Sequence, residues 1–192
     1  MEKLTKYLKP LMLVGFLLIA AGCSDSEETG NSSDGEENTT EQENEGENGT
    51  EAEGKTEENV RTVLEHVFTG PNESHEELFS DDFETKAEKI TEYNKENFEP
   101  YMSENFFDSF INTNGALIFL QSAHPDYIME VDEINLGEDE GDYSFIVTVA
   151  YTNTESDETE TMDVEGHIQT NEDGMLTSIN YKNAEDLRSA MG

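Results

Sequence analysis

Basic residues and cysteine are both scarce in this chain. Its 192 residues include 10 Lys or Arg against 46 Asp or Glu, which gives a formal net charge of −36 with His neutral. Nucleic acid is excluded as a partner, because binding a polyanion requires a basic footprint. The single Cys excludes a disulfide framework, and no paired Cys/His spacing indicates a structural zinc site. No cofactor is expected.

A long apolar run is also lacking. Three lysines in the first nine residues precede an apolar run, 11–21, that ends at Gly22 and Cys23. A mature membrane-spanning helix needs about 20 apolar residues. This run is shorter, and the basic segment before it is typical of export signals, so residues 1–22 are predicted to be a secretory signal peptide.

The end of this segment, Ile19-Ala20-Ala21-Gly22-Cys23, resembles the bacterial lipobox. In a lipobox, small residues precede a Cys that is lipidated on sulfur and becomes the first residue after cleavage. Members usually have Leu where this chain has Ala20. The resemblance implies cleavage between Gly22 and Cys23, and anchoring of Cys23 to the outer face of the bacterial cell membrane, where several acyl chains hold stably. The alternatives are a cleaved signal with a free thiol, or an uncleaved anchor helix.

Residues 23–55 have the composition of a tether. Ala52 is the only apolar side chain after Cys23, and 12 residues are Asp or Glu. Such a segment cannot bury enough apolar surface to offset the entropy of ordering it, so a disordered acidic linker is predicted. A cation-chelating or receptor-binding role for its carboxylates is the alternative. Residues 56–192 are long enough for one domain with its own core.

Helices are predicted in the first half of that domain. Thr56 is a suitable N-cap for a helix that Gly70-Pro71 ends. Its apolar residues recur with a 3.6-residue period: Val60, Val63, Leu64, Val67 and Phe68. A helical turn around 76–79, a helix over 86–98 and another from Ser103 follow. The run 116–120 fits a strand, a helix end or a buried loop. A final helix is predicted over 184–191.

Four strands are predicted in the second half. The segments 128–136, 143–152, 161–170 and 175–182 are rich in Val, Ile, Thr and Tyr, and turn-forming clusters separate them. Short connections between successive strands predict antiparallel pairing. Segment 143–152 has apolar residues on both faces, including Ile146 and Ala150 on the second, which predicts a central strand or a subunit contact. The predicted class is α+β, with helices packed on a four-stranded antiparallel meander.

This order of elements resembles the nuclear transport factor two-like superfamily, also described as a cystatin-like cone. The stretches 67–73, 101–106 and 179–181 are also similar to those of small lipoproteins of Gram-positive bacteria assigned to this fold. The resemblance implies a curved sheet wrapped around a long helix. Residues expected to line a ligand cone inside it are Tyr93, Phe98, Phe145, Val147 and Tyr181. Enzymes, transport factors and secretion subunits share the fold, so it does not specify an activity.

The side chains that carry chemistry give no catalytic motif. Four tyrosines have hydroxyls that could enter the cone, and a structural role is the commoner one for each: Tyr93, Tyr143, Tyr151 and Tyr181. Four histidines lack a partner at metal-ligand spacing: His66, His75, His124 and His167. No catalytic residue is assigned.

The turns of the meander suggest one metal site. The first and third hairpin turns of a meander lie at the same end of the sheet, which would bring Asp139 and Asp142 near Asp173. Carboxylate oxygens are the ligands that calcium prefers. The alternative is a set of solvated turns in an acidic protein.

Three functions are compatible with these observations. The first is a non-enzymatic, lipid-anchored module that binds a small apolar ligand in the cone or an envelope protein. The second is a cone-site enzyme of the isomerase or dehydratase type, which would need a buried carboxylate or His facing a cavity. The third is a structural protein that forms a homodimer through the outer sheet face around Ile146 and Ala150.

Overall fold

The computed structural model describes residues 46–139 and 142–192, with side chains for 54–138 and 142–192. The predicted signal peptide, Gly22, Cys23 and the predicted tether up to residue 45 lie outside these residues. The α-helices described are α1 (Gly46–Phe68), α2 (Phe83–Asn97), α3 (Glu104–Asn112), α4 (Ile118–Ala123) and α5 (Ala184–Met191). The strands described are β1 (Tyr127–Asp139), β2 (Asp142–Asn153), β3 (Thr159–Thr170) and β4 (Leu176–Tyr181). Two 3₁₀ segments, Glu73–Phe79 and Glu99–Tyr101, flank α2.

Helix α1 carries the predicted apolar stripe. Its five members are fully buried: Val60, Val63, Leu64, Val67 and Phe68. The helix begins at Gly46, so the predicted start at Thr56 is wrong. Glu, Ala and Lys between these positions are good helix formers, and they extend the helix without an apolar stripe. The helix ends before Gly70, whose φ of +115° favours glycine. Gly70 exchanges two backbone hydrogen bonds with Met129, at 2.9 and 2.8 Å, and thereby joins the end of α1 to β1.

The strands form one antiparallel sheet in the order β1-β2-β3-β4, as the short connections predicted. On β2, alternate residues are buried: Tyr143, Phe145, Val147, Val149 and Tyr151. On β3, Val164, Gly166 and Ile168 are buried and the residues between them are exposed. A Cβ atom at Gly166 would lie 2.3 Å from Cζ of Phe145, so the core requires glycine there.

Four of the described α-helices pack on this sheet, which confirms the α+β class. Helices α1 and α4 contact β1, α3 contacts β4, and α5 contacts β3. The run 116–120 was compatible with a strand, a helix end or a buried loop. In the structure it leads into helix α4, Ile118–Ala123. Helix α2 begins three residues before the predicted position 86, and Asp82 caps it by accepting a hydrogen bond from the Thr85 amide at 2.7 Å. None of the described helices combines the length and apolar character that crossing a bilayer requires.

Aromatic rings fill the space between α1 and the sheet. The ring centroid of Tyr181 lies 5.4 Å from that of Phe119, 5.9 Å from that of Phe68 and 6.0 Å from that of Phe145. All three pairs meet edge to face, an arrangement that adds about 0.5–1.5 kcal/mol per pair beyond area burial. The inside of the fold is therefore a packed aromatic core.

Candidate functional site

A cleft of about 560 Å³ opens on the helical side of the domain. The end of α1, the 3₁₀ segment Glu73–Phe79 and the outer part of α2 form its walls. Its polar lining includes His66, Asn72, His75, Tyr93 and Asn97. Two further clefts are formed by described residues, one between α2 and α3 and one beside Tyr151. The first is distinguished from these by its histidines, one of which is buried.

Local capping of the 3₁₀ segment fixes the ring of His75. Asn72 is the N-cap, and its side-chain oxygen accepts from the Ser74 amide at 3.0 Å. Nδ1 of His75 lies 2.9 Å from Oδ1 of Asn72 and 3.2 Å from its backbone nitrogen. With hydrogen on Nδ1 the ring donates to Oδ1 of Asn72 and Nε2 is an acceptor, whereas the bond donated by the Asn72 amide requires the tautomer with hydrogen on Nε2. No described residue forms a hydrogen bond with Nε2, although His75 is only 6% exposed.

Glycine at position 70 makes this placement of His75 possible. A Cβ atom there would lie 2.9 Å from Cε1 of His75 and 2.8 Å from Cδ2 of Leu120. The glycine that ends α1 therefore also leaves the space in which the imidazole ring sits.

Tyr93 stands between the two histidines. Its hydroxyl donates to the backbone oxygen of His66 at 3.4 Å, and its ring meets that of His75 edge to face with centroids 5.3 Å apart. Burial raises the pKa of Tyr93 to about 12, so it is a hydroxyl donor at neutral pH. The ring of His66 packs against Phe98, with centroids 5.9 Å apart.

Both histidines are neutral at pH 7. Burial lowers the pKa of His66 from its ordinary 6.5, and the nearby carboxylate of Glu65 offsets part of that effect. Burial also lowers the pKa of His75, and the charge that His66 would carry adds to this lowering. The cleft therefore presents two uncharged imidazoles, which can accept hydrogen bonds or act as bases.

The rim of the cleft is acidic. Lys89 on α2 lies 3.3 Å from Glu77 of the 3₁₀ segment and 3.0 Å from Glu92, so it bridges the two elements. Glu96, one turn beyond Glu92, has no ion-pair partner among the described residues. The charged groups of the lining thus sum to about two negative charges.

The five residues predicted to line a ligand cone lie in two different places, four in the core and one at the cleft. Phe98, Phe145 and Val147 are almost completely buried in the core. The hydroxyl of Tyr181 is buried, without a hydrogen-bond partner among the described residues. None of these four lines any of the three clefts, whereas Tyr93 lines the first.

The other histidines and tyrosines lie elsewhere. His124 stacks on Phe79 with ring centroids 4.0 Å apart, and His167 is exposed on the outer sheet face. The hydroxyl of Tyr151 donates to Glu160 at 3.2 Å, and Tyr143 is buried in the core.

The predicted calcium site is described only in part. Asp142 lies at the first residue of β2, and Asp173 lies in the turn between β3 and β4, at the same end of the sheet. Within the ranges whose side chains the structure describes, no three His, Cys, Asp or Glu side chains come together as metal ligands. The carboxylate of Asp139 lies outside those ranges.

The sequence analysis did not predict that His66 and His75 line the same cleft. The two residues lie on different elements, and the turn at Gly70 brings them to one cleft. The signal available was Asn72 three residues before His75, a spacing that allows a side chain to reach back to the N-cap.

No family model matches the chain, and no curated protein matches it. Among solved structures, the chain is similar to the transfer protein TraH of the Gram-positive conjugative plasmid pIP501, at 11% identity over 68% of this chain and 94% of that one, with a TM-score of 0.39. It is also similar to a protein described as a polyketide cyclase from Xanthomonas campestris pv. campestris, at 10% identity over 71% and 99%, with a TM-score of 0.38.

Proposed function

We propose that this chain is a lipid-anchored, extracytoplasmic module that binds a ligand or an envelope protein in the cleft beside His66, His75 and Tyr93. The observation that carries the proposal is His75, a buried histidine in the wall of a cleft of about 560 Å³. Nε2 of this ring has no hydrogen-bond partner among the described residues and is not enclosed, so a molecule in the cleft can reach it. An occupant of the cleft can supply that partner.

The anchor follows from the sequence around Cys23. In this proposal, export, cleavage after Gly22 and acylation of Cys23 attach the chain to the outer face of the cell membrane. The acidic residues up to 45 keep the domain away from the membrane surface. The structure favours a polar occupant over a small apolar one, because the cleft is lined by imidazoles, amides and carboxylates while the apolar interior is packed.

Photo-crosslinking in intact cells tests the site. Thr69 lines the cleft, whereas Thr177 on β4 is exposed and outside its lining, so each is replaced in turn by a photoreactive amino acid. The proposal predicts a specific adduct from position 69 and none from position 177. Equal labelling from both positions, or labelling from 177 alone, would contradict it.

A second candidate function is an enzyme that uses His75 as a general base. The observation in its favour is that burial keeps this imidazole neutral, the state that a base requires. The substrate would enter the same cleft rather than the core. Turnover of an added compound that His75→Gln abolishes, without loss of stability, would establish the enzyme.

The third candidate function, a homodimer through the outer sheet face, has one observation in its favour. Ile146 is 41% exposed at the centre of that face. Its neighbours across the sheet are Asn135 and Glu165, and Asp163 lies further along β3. A symmetric dimer would bring these carboxylates together, so it is expected only in high salt, where screening weakens their repulsion. Sedimentation at low and high salt measures this.

A further inference from the structure

The charge on the cleft indicates what kind of ligand it takes, given the proposed function on which this inference rests. We propose that the cleft binds an alkylammonium group, with Glu96 as its counter-charge and the rings of Tyr93 and His75 against its carbon stem.

The first step concerns the charges. Of the three carboxylates in the lining, Glu77 and Glu92 share the ammonium of Lys89, and Glu96 has no ion-pair partner among the described residues. Glu92 and Glu96 are four residues apart on α2, a spacing at which like charges repel. A cation bound beside Glu96 relieves this repulsion, whereas an anionic ligand would increase it.

The second step concerns the rings. Tyr93 and His75 meet edge to face and both line the cleft beside Glu96. An ammonium group near the face of a tyrosine ring is attracted by the ring quadrupole. The uncharged imidazole does not repel a cation, and in the tautomer with hydrogen on Nδ1 its Nε2 can accept one of the three ammonium hydrogens.

The third step concerns Lys89. Lys89 is on α2, and its ammonium pairs with two carboxylates of the rim, Glu77 of the 3₁₀ segment and Glu92 of its own helix. The cleft therefore already holds one alkylammonium group of the chain itself, bound by the same type of carboxylate. Glu96 offers a second position of this kind that no described cation occupies.

Ring resonances of the four histidines provide a direct test. The full-length protein, purified in detergent, is titrated with n-butylammonium chloride and, separately, with n-butanol. The proposal predicts saturable shifts at His66 and His75, none at His124 and His167, and none with butanol. Equal, unsaturated drifts at all four rings would mean only general attraction to an acidic protein, and would overturn the proposal.

Matched variants separate the site from the overall charge. Glu96→Gln should weaken n-butylammonium binding by about threefold to fivefold, as expected for one partly exposed charge contact. Glu88→Gln, on the same helix but outside the lining, removes the same charge and should leave binding unchanged. Equal loss in both variants would overturn the proposal.

Two further arms distinguish the source of the ammonium group. Binding of the peptide Gly-Lys-Gly more tightly than n-butylammonium would indicate a lysine of a protein partner. Equal binding of the two would indicate a free amine. If crosslinking from Thr69 succeeds and n-butylammonium does not bind, the cleft remains the site and only the ligand class is wrong.

Discussion

The rings of His75 and Tyr93 meet edge to face, with centroids 5.3 Å apart and planes inclined at 71°. This contact joins the 3₁₀ segment to α2 and forms one corner of the cleft. The hydroxyl of Tyr93 also donates a hydrogen bond to the backbone oxygen of His66, near the end of α1. Three segments of chain are thus held around one polar opening.

Gly166→Ala should destabilise the domain strongly. The new Cβ atom would lie 2.3 Å from Cζ of Phe145 and 2.4 Å from the backbone oxygen of Asn180, so strand β3 must shift. Overpacking of this kind costs about 1–3 kcal/mol, and backbone involvement places it at the upper end. Chemical denaturation measures the loss.

Gly54→Ala is the matched control for that variant. No atom lies within 4 Å of the Cβ position at residue 54, which is in helix α1. Alanine there should raise the free energy of unfolding by up to about 1 kcal/mol through helix propensity. If Gly166→Ala were as stable as Gly54→Ala, the packing described for β3 would be contradicted.

Tyr181→Phe should leave the free energy of unfolding unchanged or raise it by up to about 1 kcal/mol. The hydroxyl of Tyr181 is buried without a hydrogen-bond partner among the described residues, and burial raises its pKa well above the ordinary value. Tyr151→Phe is the control, because it removes a bond to Glu160 and should cost about 0.5 kcal/mol. Clear destabilisation by Tyr181→Phe would reveal a partner for its hydroxyl.

The free energy of unfolding should decrease as the pH is lowered, because the two cleft histidines bind protons more readily in the unfolded chain than in the folded one. Because their pKa values in the folded state lie below 6.5, the unfolded chain binds more protons once the pH falls below that value. The free energy of unfolding then decreases as pH falls, and the loss stops below the folded-state pKa values. The charged groups around the two rings are Glu65, Glu77, Lys89, Glu92 and Glu96.

The measurement for this prediction is denaturation at pH 7.5 and pH 5.5 for the wild type, His75→Gln and His167→Gln. The difference between the two pH values should be smaller in His75→Gln than in the wild type, since the titrating ring is gone. His167→Gln, on the outer sheet face, should behave as the wild type. Carboxylate titration affects all three proteins alike and cancels in the comparison. An unchanged difference in His75→Gln would contradict the buried, neutral state of this ring.

Cys23→Ala should release the protein from the membrane. If Cys23 carries the acyl chains, the variant loses incorporation of a clickable palmitate analogue and appears in the culture supernatant. Ser24→Ala is the control and should retain both label and membrane attachment. A variant at Cys23 that stays in the membrane fraction would indicate an uncleaved anchor helix.

Much of the fold was predictable because its patterns are regular. The stripe from Val60 to Phe68 repeats at helical spacing, and every second residue of β2 from Tyr143 to Tyr151 is apolar and buried, so each shows its buried face directly. Ala150, which was expected on the outer face, is buried as well. Helix α4 was not predictable, because a short apolar run has no period that separates helix from strand. The start of α1 at Gly46 was missed because its first turns have no apolar face.

The site was less predictable than the fold. Tyr93 was a candidate, but it was expected in an internal cone with Phe145, and the structure places it at a surface cleft instead. His66 and His75 look like isolated polar residues in sequence. Their meeting depends on the turn at Gly70 and on the cap at Asn72, which only the folded chain brings together.

Histidine ring spectra in the presence of an envelope extract test the central claim most directly, whatever the ligand is. The full-length protein is titrated with a soluble extract of the cell envelope, where the proposed function places the ligand. The account predicts that the resonances of His66 and His75 change and saturate, while those of His124 and His167 stay in place. Changes confined to His124 or His167, or spectra that do not respond at all, would contradict a binding site in this cleft.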